Sequence, residues 1–483
     1  MEWLQAPDYW LTRLVFERAL ALIYLVAFAV AINQFRPLLG ERGLLPVPYF
    51  LRLAGFRQAP SLFHLHYSDR FLAALSWTGL ILSAAVAVGV PDIAPPWVSI
   101  PVWLILWVIY LSIVNVGQIF YAFGWESLLL EVGLLAAFFG DGRPAPPLLV
   151  IFLLRWVLFR LEFGAGLIKL RGDPCWRDLT CLNYHHETQP MPNPLSWYFH
   201  HLPRSVHKLE VLGNHFAQLV VPFGLFAPQP VASLAGAIII LSQAWLVASG
   251  NFSWLNFMAI LLALTTFDDH VLGHVLPVTP ASLAPLPLWW QILSVALTLM
   301  VVVLSYWPVR NMLSRRQRMN FSFNRYHFVN SYGAFGSITK VRYEIILEGT
   351  GAELPLPDAD WKAYEFKGKP GDPHRRPPQI APYHLRLDWL MWFAAMASPF
   401  EHPWLLTFVE KLLANDRPTL KLLRHNPFPD RPPRFIRAQF YRYRFTTGQE
   451  RRGTGAWWDR TLVAEYLPPL RLEGPVTQPT DQP

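Results

Sequence analysis

Charged residues are scarce in this chain. They make up 15% of its 483 residues, against roughly 25% in an average soluble domain, whereas 53% of the residues are hydrophobic. This balance argues against an ordinary soluble protein and indicates a membrane protein. The sequence also lacks a nucleotide-binding glycine loop, a Gly-x-Ser-x-Gly elbow and a His-Glu-x-x-His helix, so the enzyme classes built on these motifs receive no support.

The net charge of +8 does not by itself indicate nucleic-acid binding. The arginines stand beside apolar runs and aromatic residues, which favours contact with a membrane surface or an acidic partner. We therefore expect no nucleic-acid partner.

The first 307 residues consist mostly of apolar runs. About 20 consecutive apolar residues cross a bilayer as a helix, because lipid offers no partner for backbone amides. The first run lacks a small-residue cleavage site, so we interpret it as a span and not as a removable signal peptide. The fourth and eighth runs are short, so we expect about seven to nine spans. The predicted spans are 14–33, 71–90, 100–121, 127–140, 148–170, 209–227, 231–249, 252–267 and 287–307.

The chain changes character after residue 307. Apolar and polar residues alternate at 337–347 and 437–446, which is typical of half-buried strands. Helical segments are predicted at about 388–397 and 404–413. The predicted organisation is a polytopic α-helical membrane domain at 1–307, a β-rich domain with one or two helices at 308–470, and a loose tail at 471–483.

The polar segment at 171–207, which we call the signature loop, holds both cysteines of the chain. Cys175 and Cys181 are six residues apart. In an oxidising compartment the pair is predicted to form a disulfide, with two unrelated thiols as the alternative. The spacing differs from the Cys-x-x-Cys pattern of redox-exchange sites.

Two His-His pairs, His185-His186 and His200-His201, also lie in the signature loop. Their spacings, taken with the cysteines, match none of the compact zinc patterns. We therefore predict hydrogen-bonding and packing roles for these histidines and no metal.

Charges recur along the predicted fifth span. Arg155, Glu162 and Lys169 are seven residues apart and therefore line one face of a helix. Charges at membrane depth are costly unless they are paired or face a polar cavity. Glu126 and Glu131, in the fourth span, are possible partners. The stripe is predicted to cross-link the bundle, with a catalytic role for Lys169 as the alternative.

The segment GDPCWRDLTCLNYHHETQPMPNPLSWYFHH, residues 172–201, resembles the corresponding loop of the lipase maturation factor family of multi-pass membrane proteins. The resemblance covers roughly residues 110–470. Further matches, in order along the chain, are GWES at 124–127, NHF at 214–216, SGNFSWLN at 249–256, FDD at 267–269, PYHLRLDWLMWFAAM from Pro382, NPFPDRPPRFIRAQFYRYRF from Asn426 and YLPP at 466–469.

The resemblance implies a maturation factor, not an enzyme, that helps secreted lipases fold and assemble into active dimers in the endoplasmic reticulum. The functional surface would include Trp176, Arg177, Asp178, Tyr184 and Glu187. The expected partners are secreted client proteins such as lipases, and membrane lipids; no cofactor is expected.

A shorter segment, FGAGLIKLRGDPCWRD at 163–178, is similar to the vitamin-K-dependent gamma-carboxylase superfamily. This second resemblance implies that Lys169 matches a lysine that acts as a base, because a desolvated lysine can serve in general-base catalysis. The alternatives to a maturation factor are therefore a carboxylase-like membrane enzyme and a non-catalytic assembly subunit.

The side of the membrane follows from the count of spans. With nine spans, the segment 34–70, the signature loop and the C-terminal region share one side. The arginines of these segments favour the cytoplasm by the positive-inside rule, whereas the family resemblance implies the lumen. We expect the lumenal or extracytoplasmic side, in the endoplasmic reticulum membrane of a eukaryote or the inner membrane of a bacterium.

Overall fold

A bundle of helices occupies the chain up to Leu313, and a β-rich region with further helices follows it. Of the predicted loose tail, the residues after 472 lie outside the described ones. The computed structural model describes residues 2–93, 96–140, 142–276, 278 and 283–472.

Helices and short 3-10 turns make up the bundle. The helices among the described residues are α1 (Trp10–Leu39), α2 (Val47–Leu53), α3 (Asp69–Ala87), α4 (Ser99–Val116), α5 (Gly124–Ala136), α6 (Leu148–Arg171), α7 (Pro174–Arg177), α8 (Leu182–Thr188), α9 (Ser196–His200), α10 (Arg204–Leu219), α11 (Val231–Ser249), α12 (Leu255–Leu264), α13 (Asp269–Leu272) and α14 (Leu288–Leu313).

Six helices in the described part of the chain are long and apolar enough to cross a membrane. They are α1, α3, α4, α10 with the turn that follows it, α11 and α14. The prediction of seven to nine spans is therefore not confirmed. The other three predicted spans fall on α5 and α12, which have 13 and 10 residues, and on α6, which is long but carries several charges.

The long helices differ in how much of their surface the protein covers. In α1 and α4, 56% and 61% of the most apolar 18-residue stretch is buried, against 28% in α3, α11 and α14. The uncovered side chains are apolar, as Leu241, Leu299 and Val303 show at 71%, 62% and 71% exposed. A helix that is apolar all round is typical of a membrane span. The first pair therefore lies at the centre of the bundle, and the other three form walls that face lipid.

Short polar side chains mark several helix starts. The Ser68 hydroxyl accepts a hydrogen bond from the backbone N–H of Phe71 at 3.1 Å, where α3 begins. Asp268 caps α13 in the same way through Val271, at 3.0 Å. Such caps satisfy amides that have no partner within the helix. The polar residues between apolar runs therefore set where helices start.

The C-terminal region is built around one antiparallel sheet, with strand order β4-β3-β7-β8. Ile345 pairs with Phe440 in the centre, and Phe445 pairs with Trp458 toward the edge. The strands are β1 (Phe321–Ser322), β2 (Asn330–Ser331), β3 (Arg342–Thr350), β4 (Lys362–Ala363), β5 (Glu365–Phe366), β6 (Leu423–His425), β7 (Phe435–Phe445) and β8 (Trp458–Leu470), and the helices are α15 (Arg386–Ala394), α16 (Pro403–Leu413), α17 (Arg417–Leu420) and α18 (Gly448–Thr454).

The predicted β-rich character is confirmed, with two differences in detail. The two predicted strands correspond to β3 and β7, although β3 begins at Arg342 and not at residue 337. The two predicted helices are α15 and α16, and the short α17 and α18 are additional. Short helices without a long apolar face leave little trace in a pattern of hydrophobic periodicity.

A buried ion pair joins the C-terminal region to the bundle. The guanidinium of Arg386 in α15 lies 2.8 Å from a carboxylate oxygen of Glu126 in α5, and its carbon lies 3.4 Å from the ring centroid of Tyr121. Tyr110 of α4 donates to the same carboxylate. The Arg386 and Glu126 side chains are at most 1% exposed. Since a buried charge is stable only with partners, this cluster holds α15 against the ends of α4 and α5.

A second buried carboxylate makes a similar connection. Glu131 pairs with Arg160 of α6 and accepts hydrogen bonds from the backbone and side-chain N–H groups of Asn330 at 3.0 and 2.9 Å. It also accepts from the Tyr332 hydroxyl at 2.7 Å. The start of the C-terminal region therefore packs into the bundle beside α5 and α6.

His327 lies at the same junction. Its Nδ1 is 2.9 Å from the Ser127 hydroxyl, and its Nε2 is 3.2 Å from the Asn115 side-chain oxygen. Burial lowers the pKa of His327 to about 4, although the nearby Glu126 carboxylate acts in the opposite direction. The imidazole is therefore neutral in the folded protein at neutral pH.

We expect Arg386→Met to lower the free energy of unfolding by about 3–5 kcal/mol, because it leaves Glu126 as an uncompensated buried charge. Thermal and denaturant unfolding of the detergent-purified protein would measure this loss. Arg36→Met is the matched control, since Arg36 pairs with Asp69 while 68% of its side chain is exposed. The control should cost at most about 1 kcal/mol. Equally small losses for both variants would contradict a docking role for Arg386.

Acid should loosen the junction at His327. Between pH 6.5 and 4 the unfolded chain binds a proton that folded His327 does not, so stability falls as the pH is lowered across that range, by up to about 3 kcal/mol for this group. The thermal midpoint as a function of pH is the measurement. His327→Asn should show a shallower fall; Asn suits the positive φ of 55° at this position. Parallel pH profiles for the two proteins would show that His327 does not contribute.

Candidate functional site at the signature loop

The signature loop folds into three short helices with a cross-link at its start. The Asp173 carboxylate caps α7 by accepting from the backbone N–H of Cys175 at 2.9 Å. The sulfurs of Cys175 and Cys181 are in disulfide contact, and their Cα atoms are 4.8 Å apart, within the usual range for a disulfide. Both cysteines are buried. The geometry agrees with the predicted pairing, whose oxidation state remains a prediction.

The five residues proposed as a functional surface do not form one exposed face. Arg177 and Asp178 are exposed and Tyr184 is half-buried. Trp176 is only 3% exposed, and its indole N–H donates to the Phe335 carbonyl at 2.8 Å. The Trp176 ring also packs with both cysteines in a small apolar cluster. Trp176 therefore holds the loop against the C-terminal region.

Glu187 also faces inward. Its carboxylate accepts from the backbone N–H of Phe445 in β7 at 2.7 Å and lies 3.6 Å from His200. Burial raises the pKa of Glu187, and the hydrogen bond from Phe445 opposes that rise. Glu187 thus connects the loop to the sheet and is not displayed to solvent as the prediction required.

Arg342 of β3 ties the signature loop to the sheet. Its guanidinium donates to the backbone carbonyls of Glu187, at 3.0 Å, and Gln189. It is fully buried and pairs with Glu344, which also pairs with Lys369. The direct contact means that the loop and the C-terminal region lie on the same side of the bundle. The predicted parity argument for this placement assumed nine spans, a number that is not confirmed.

An arginine–aromatic cluster covers the outer edge of this contact. It consists of Trp197 and Tyr198 from the loop with Arg376, Arg451 and Trp457 from the C-terminal region. The Arg451 guanidinium carbon lies 3.5 Å from the Trp457 ring centroid and 4.7 Å from that of Trp197. Arg376 lies 5.2 Å from the Trp457 centroid. Tyr198 is 46% exposed, so part of the cluster is open to a partner.

The charged stripe of α6 has partners, but not the predicted ones. Arg155 donates to the Thr265 carbonyl at 3.0 and 2.8 Å, to the Leu225 carbonyl at 3.2 Å and to the Tyr9 hydroxyl at 3.1 Å. The two carbonyls belong to residues at helix ends, where backbone carbonyls have no partner within the helix. Arg155 therefore closes one end of the bundle.

Glu162 and Lys169 are joined through an amide. Glu162 accepts from the side chains of Gln218 at 3.2 Å and Gln243 at 2.6 Å. The Lys169 ammonium donates to Gln218 at 2.9 Å and to Asn214 at 2.7 Å. Gln218 therefore bridges the two charges, which are too far apart on the helix for direct contact.

Glu126 and Glu131 pair with residues outside the predicted stripe of α6. Their partners, Arg386 and Arg160, were absent from the predicted set. Arg160 lies in α6, the helix of the stripe, but it falls outside the seven-residue spacing by which the stripe was selected. Arg386 carries no local signal, since only the fold brings it to α5. The suggested pairing of the two glutamates with Arg155, Glu162 or Lys169 is therefore wrong.

The four histidines of the loop differ in their surroundings. His201 is exposed, and the His200 ring packs 5.5 Å from that of Phe445. Burial lowers the pKa of His185 to about 3, and its ring packs against Phe335. His186 is buried as well, beside His207 of α10.

His207 and Glu210 were not selected from the sequence, although their His-x-x-Glu spacing places both on one face of a helix. The His207 Nδ1 lies 2.8 Å from the Glu210 carboxylate. With His186 they form a group whose ligand atoms all lie within 4.8 Å of one another. The spacing of polar residues within an amphipathic helix was the available signal.

These features define a class of protein: a multi-pass helical membrane protein whose β-rich C-terminal region is docked onto one end of the bundle through a folded loop. Residues 11–274 match the model of the "Lipase maturation factor transmembrane domain", and residues 328–468 match that of the "Lipase maturation factor C-terminal domain". The chain belongs to the lipase maturation factor family.

Relatives of known name cover nearly the whole chain. Lipase maturation factor 1 of Homo sapiens is 43% identical over 507 residues, which span 97% of this chain and 89% of that protein. The Mus musculus protein of the same name is 44% identical over 510 residues, with the same coverage. Lipase maturation factor 2 of Homo sapiens is 28% identical over 600 residues, covering 97% and 84%. No solved structure matches this chain.

We predict that Cys175 and Cys181 are oxidised in native membranes. Alkylation before and after reduction, followed by intact-mass measurement, should show both thiols protected until reductant is added. Closing so short a loop stabilises it by roughly 2–3 kcal/mol in the chain-entropy model, so Cys175→Ser should lower the thermal midpoint. Full alkylation of both thiols without reductant would refute the prediction.

Proposed function

We propose that this protein is a membrane-embedded maturation factor that assists the folding and assembly of secreted client proteins, lipases above all. The names of its relatives denote lipase maturation, and the similarity to them extends over 97% of the chain. The observation that carries the proposal is that the signature loop and the C-terminal sheet share one interface through Arg342, which makes them a single surface for a client.

The exposed part of that surface suits an unfolded or partly folded client. The arginine–aromatic cluster offers flat apolar rings beside guanidinium groups, and Arg177 and Asp178 are also exposed on the same loop. Rings and guanidinium groups of this kind dominate the binding energy of many interfaces. β8 is at the edge of its sheet, so it could also pair with a client strand.

We place this surface in the lumen of the endoplasmic reticulum, or on the extracytoplasmic side of the inner membrane in a bacterium. The paired cysteines support this side, because disulfides persist in oxidising compartments. The contact of the signature loop with the sheet requires both to lie in the same compartment.

A carboxylase-like role for Lys169 has less support. The Lys169 ammonium donates to two amide oxygens and lies 4.8 Å from the Trp176 ring centroid. The residue is buried. A group held in this way stabilises the packing of α6 against α10. The family name likewise denotes maturation and not a catalysed reaction.

The test is secretion of an active lipase from mammalian cells whose own lipase maturation factor has been removed. We expect this protein to raise the lipase activity per unit of secreted lipase. The combined variant Arg177→Ala, Asp178→Ala, Tyr198→Ala should lower that specific activity about fivefold or more, as the loss of a binding hot spot of roughly 1 kcal/mol would.

Arg57→Ala is the matched control, because Arg57 is exposed in the segment between α2 and α3, outside the signature loop. The control should retain full activity at the same level of membrane protein. If the triple variant is as active as the control, the exposed surface is not where the client binds. If the unaltered protein fails to raise lipase activity, the proposed client class is wrong.

A further inference from the structure

Three side chains that commonly bind metals converge beside the signature loop. His186 comes from α8, and His207 and Glu210 come from successive turns of α10. One ligand atom from each lies within 4.8 Å of the other two. Their spacing of three residues places His207 and Glu210 on the same face of α10, toward α8. Two separate elements thus deliver two imidazoles and one carboxylate to one point.

Within the part of the chain that the structure describes, the ring nitrogens of His186 lack hydrogen-bond partners. The residue is 3% exposed, and both Nδ1 and Nε2 are buried. Its ring centroid lies 5.6 Å from that of His207 and 5.5 Å from that of Phe199. Buried polar groups nearly always have a partner. An unpartnered buried imidazole next to two further ligands therefore points to a bound cation.

The other two ligands already have outer partners that orient them. The Nδ1 atom of His207 faces Glu210, and its Nε2 lies 3.4 Å from the His200 carbonyl. The second carboxylate oxygen of Glu210 accepts from the Trp245 indole N–H at 2.8 Å. A ligating histidine usually donates its other N–H to a carbonyl or carboxylate, and ligating carboxylates are hydrogen-bonded in turn. Both ligands therefore have the surroundings of built metal sites.

We propose that His186, His207 and Glu210 bind one zinc ion, or a similar late first-row divalent metal. Two imidazoles and a carboxylate favour such a metal over Mg²⁺ or Ca²⁺, which prefer oxygen ligands alone. Tetrahedral zinc with bonds of about 2.0–2.2 Å needs ligand atoms about 3.4 Å apart, which small side-chain rotations reach from the present distances.

The fourth zinc ligand would be water or a side chain of a bound protein. The metal would fix α8 of the signature loop to α10 of the bundle. This differs from the sequence-based expectation of no metal, which considered the loop histidines with the cysteines and not with α10. The inference does not depend on the proposed function in lipase maturation.

The test uses the full chain, purified in detergent and freed of metal by a chelator. Zn²⁺ added alone should bind with one equivalent per chain in calorimetry, and Co²⁺ should give the visible absorption of a tetrahedral site. His186→Gln and His207→Gln should each weaken Zn²⁺ binding by more than about 100-fold, the upper end of what the loss of an outer partner alone causes. His201→Gln, an exposed histidine of the same loop, should bind like the unaltered protein.

Trp245→Phe keeps the proposal testable if the histidine variants fail to fold. Trp245 is 47% exposed, so its replacement should leave the fold intact while removing the hydrogen bond to Glu210. We expect Zn²⁺ affinity to fall roughly 10–100-fold. The proposal is overturned if the unaltered chain binds no Zn²⁺, if His201→Gln is as damaging as the ligand variants, or if Trp245→Phe leaves the affinity unchanged.

Discussion

A carboxylate inside a helical bundle is stable only with a partner, and in this protein two of them find partners far along the chain. Glu126 is neutralised by Arg386, and Glu131 by Arg160 together with the amide groups of Asn330. Because breaking a buried pair costs far more than a surface pair contributes, the position of the C-terminal region is set by these contacts. The apolar core is accordingly continuous from the bundle into α15 and α16.

The signature loop occupies the seam that this docking creates. Trp176 and Glu187 reach into the C-terminal region, and Trp197 donates its indole N–H to the Thr446 carbonyl at 2.8 Å. These contacts fix the loop against the C-terminal region at three points. Its idiosyncratic sequence therefore reflects two demands at once, the fit against two neighbouring elements and the display of the few side chains that remain exposed.

Sequence patterns could predict the parts of this fold that depend on local periodicity. Uninterrupted apolar runs predicted α11 and α14, and alternation predicted β7. β8 escaped prediction because Pro468 and Pro469 break the usual strand pattern, which an edge strand tolerates. The inward orientation of Trp176 and the pairing of Glu126 with Arg386 depend on segments that meet only in the folded chain, so no local pattern could reveal them.

The docking contacts also impose an order on assembly. The ribosome makes α5 well before it makes Asn330 or Arg386. In that interval Glu126 lacks its arginine, and Glu131 lacks the amide groups of Asn330. The bundle can close fully only when the last third of the chain arrives. A chain that ends early would thus be defective in its membrane helices and not merely shorter, because Glu126 would stay buried without Arg386, and a cell's quality control could recognise that stranded charge.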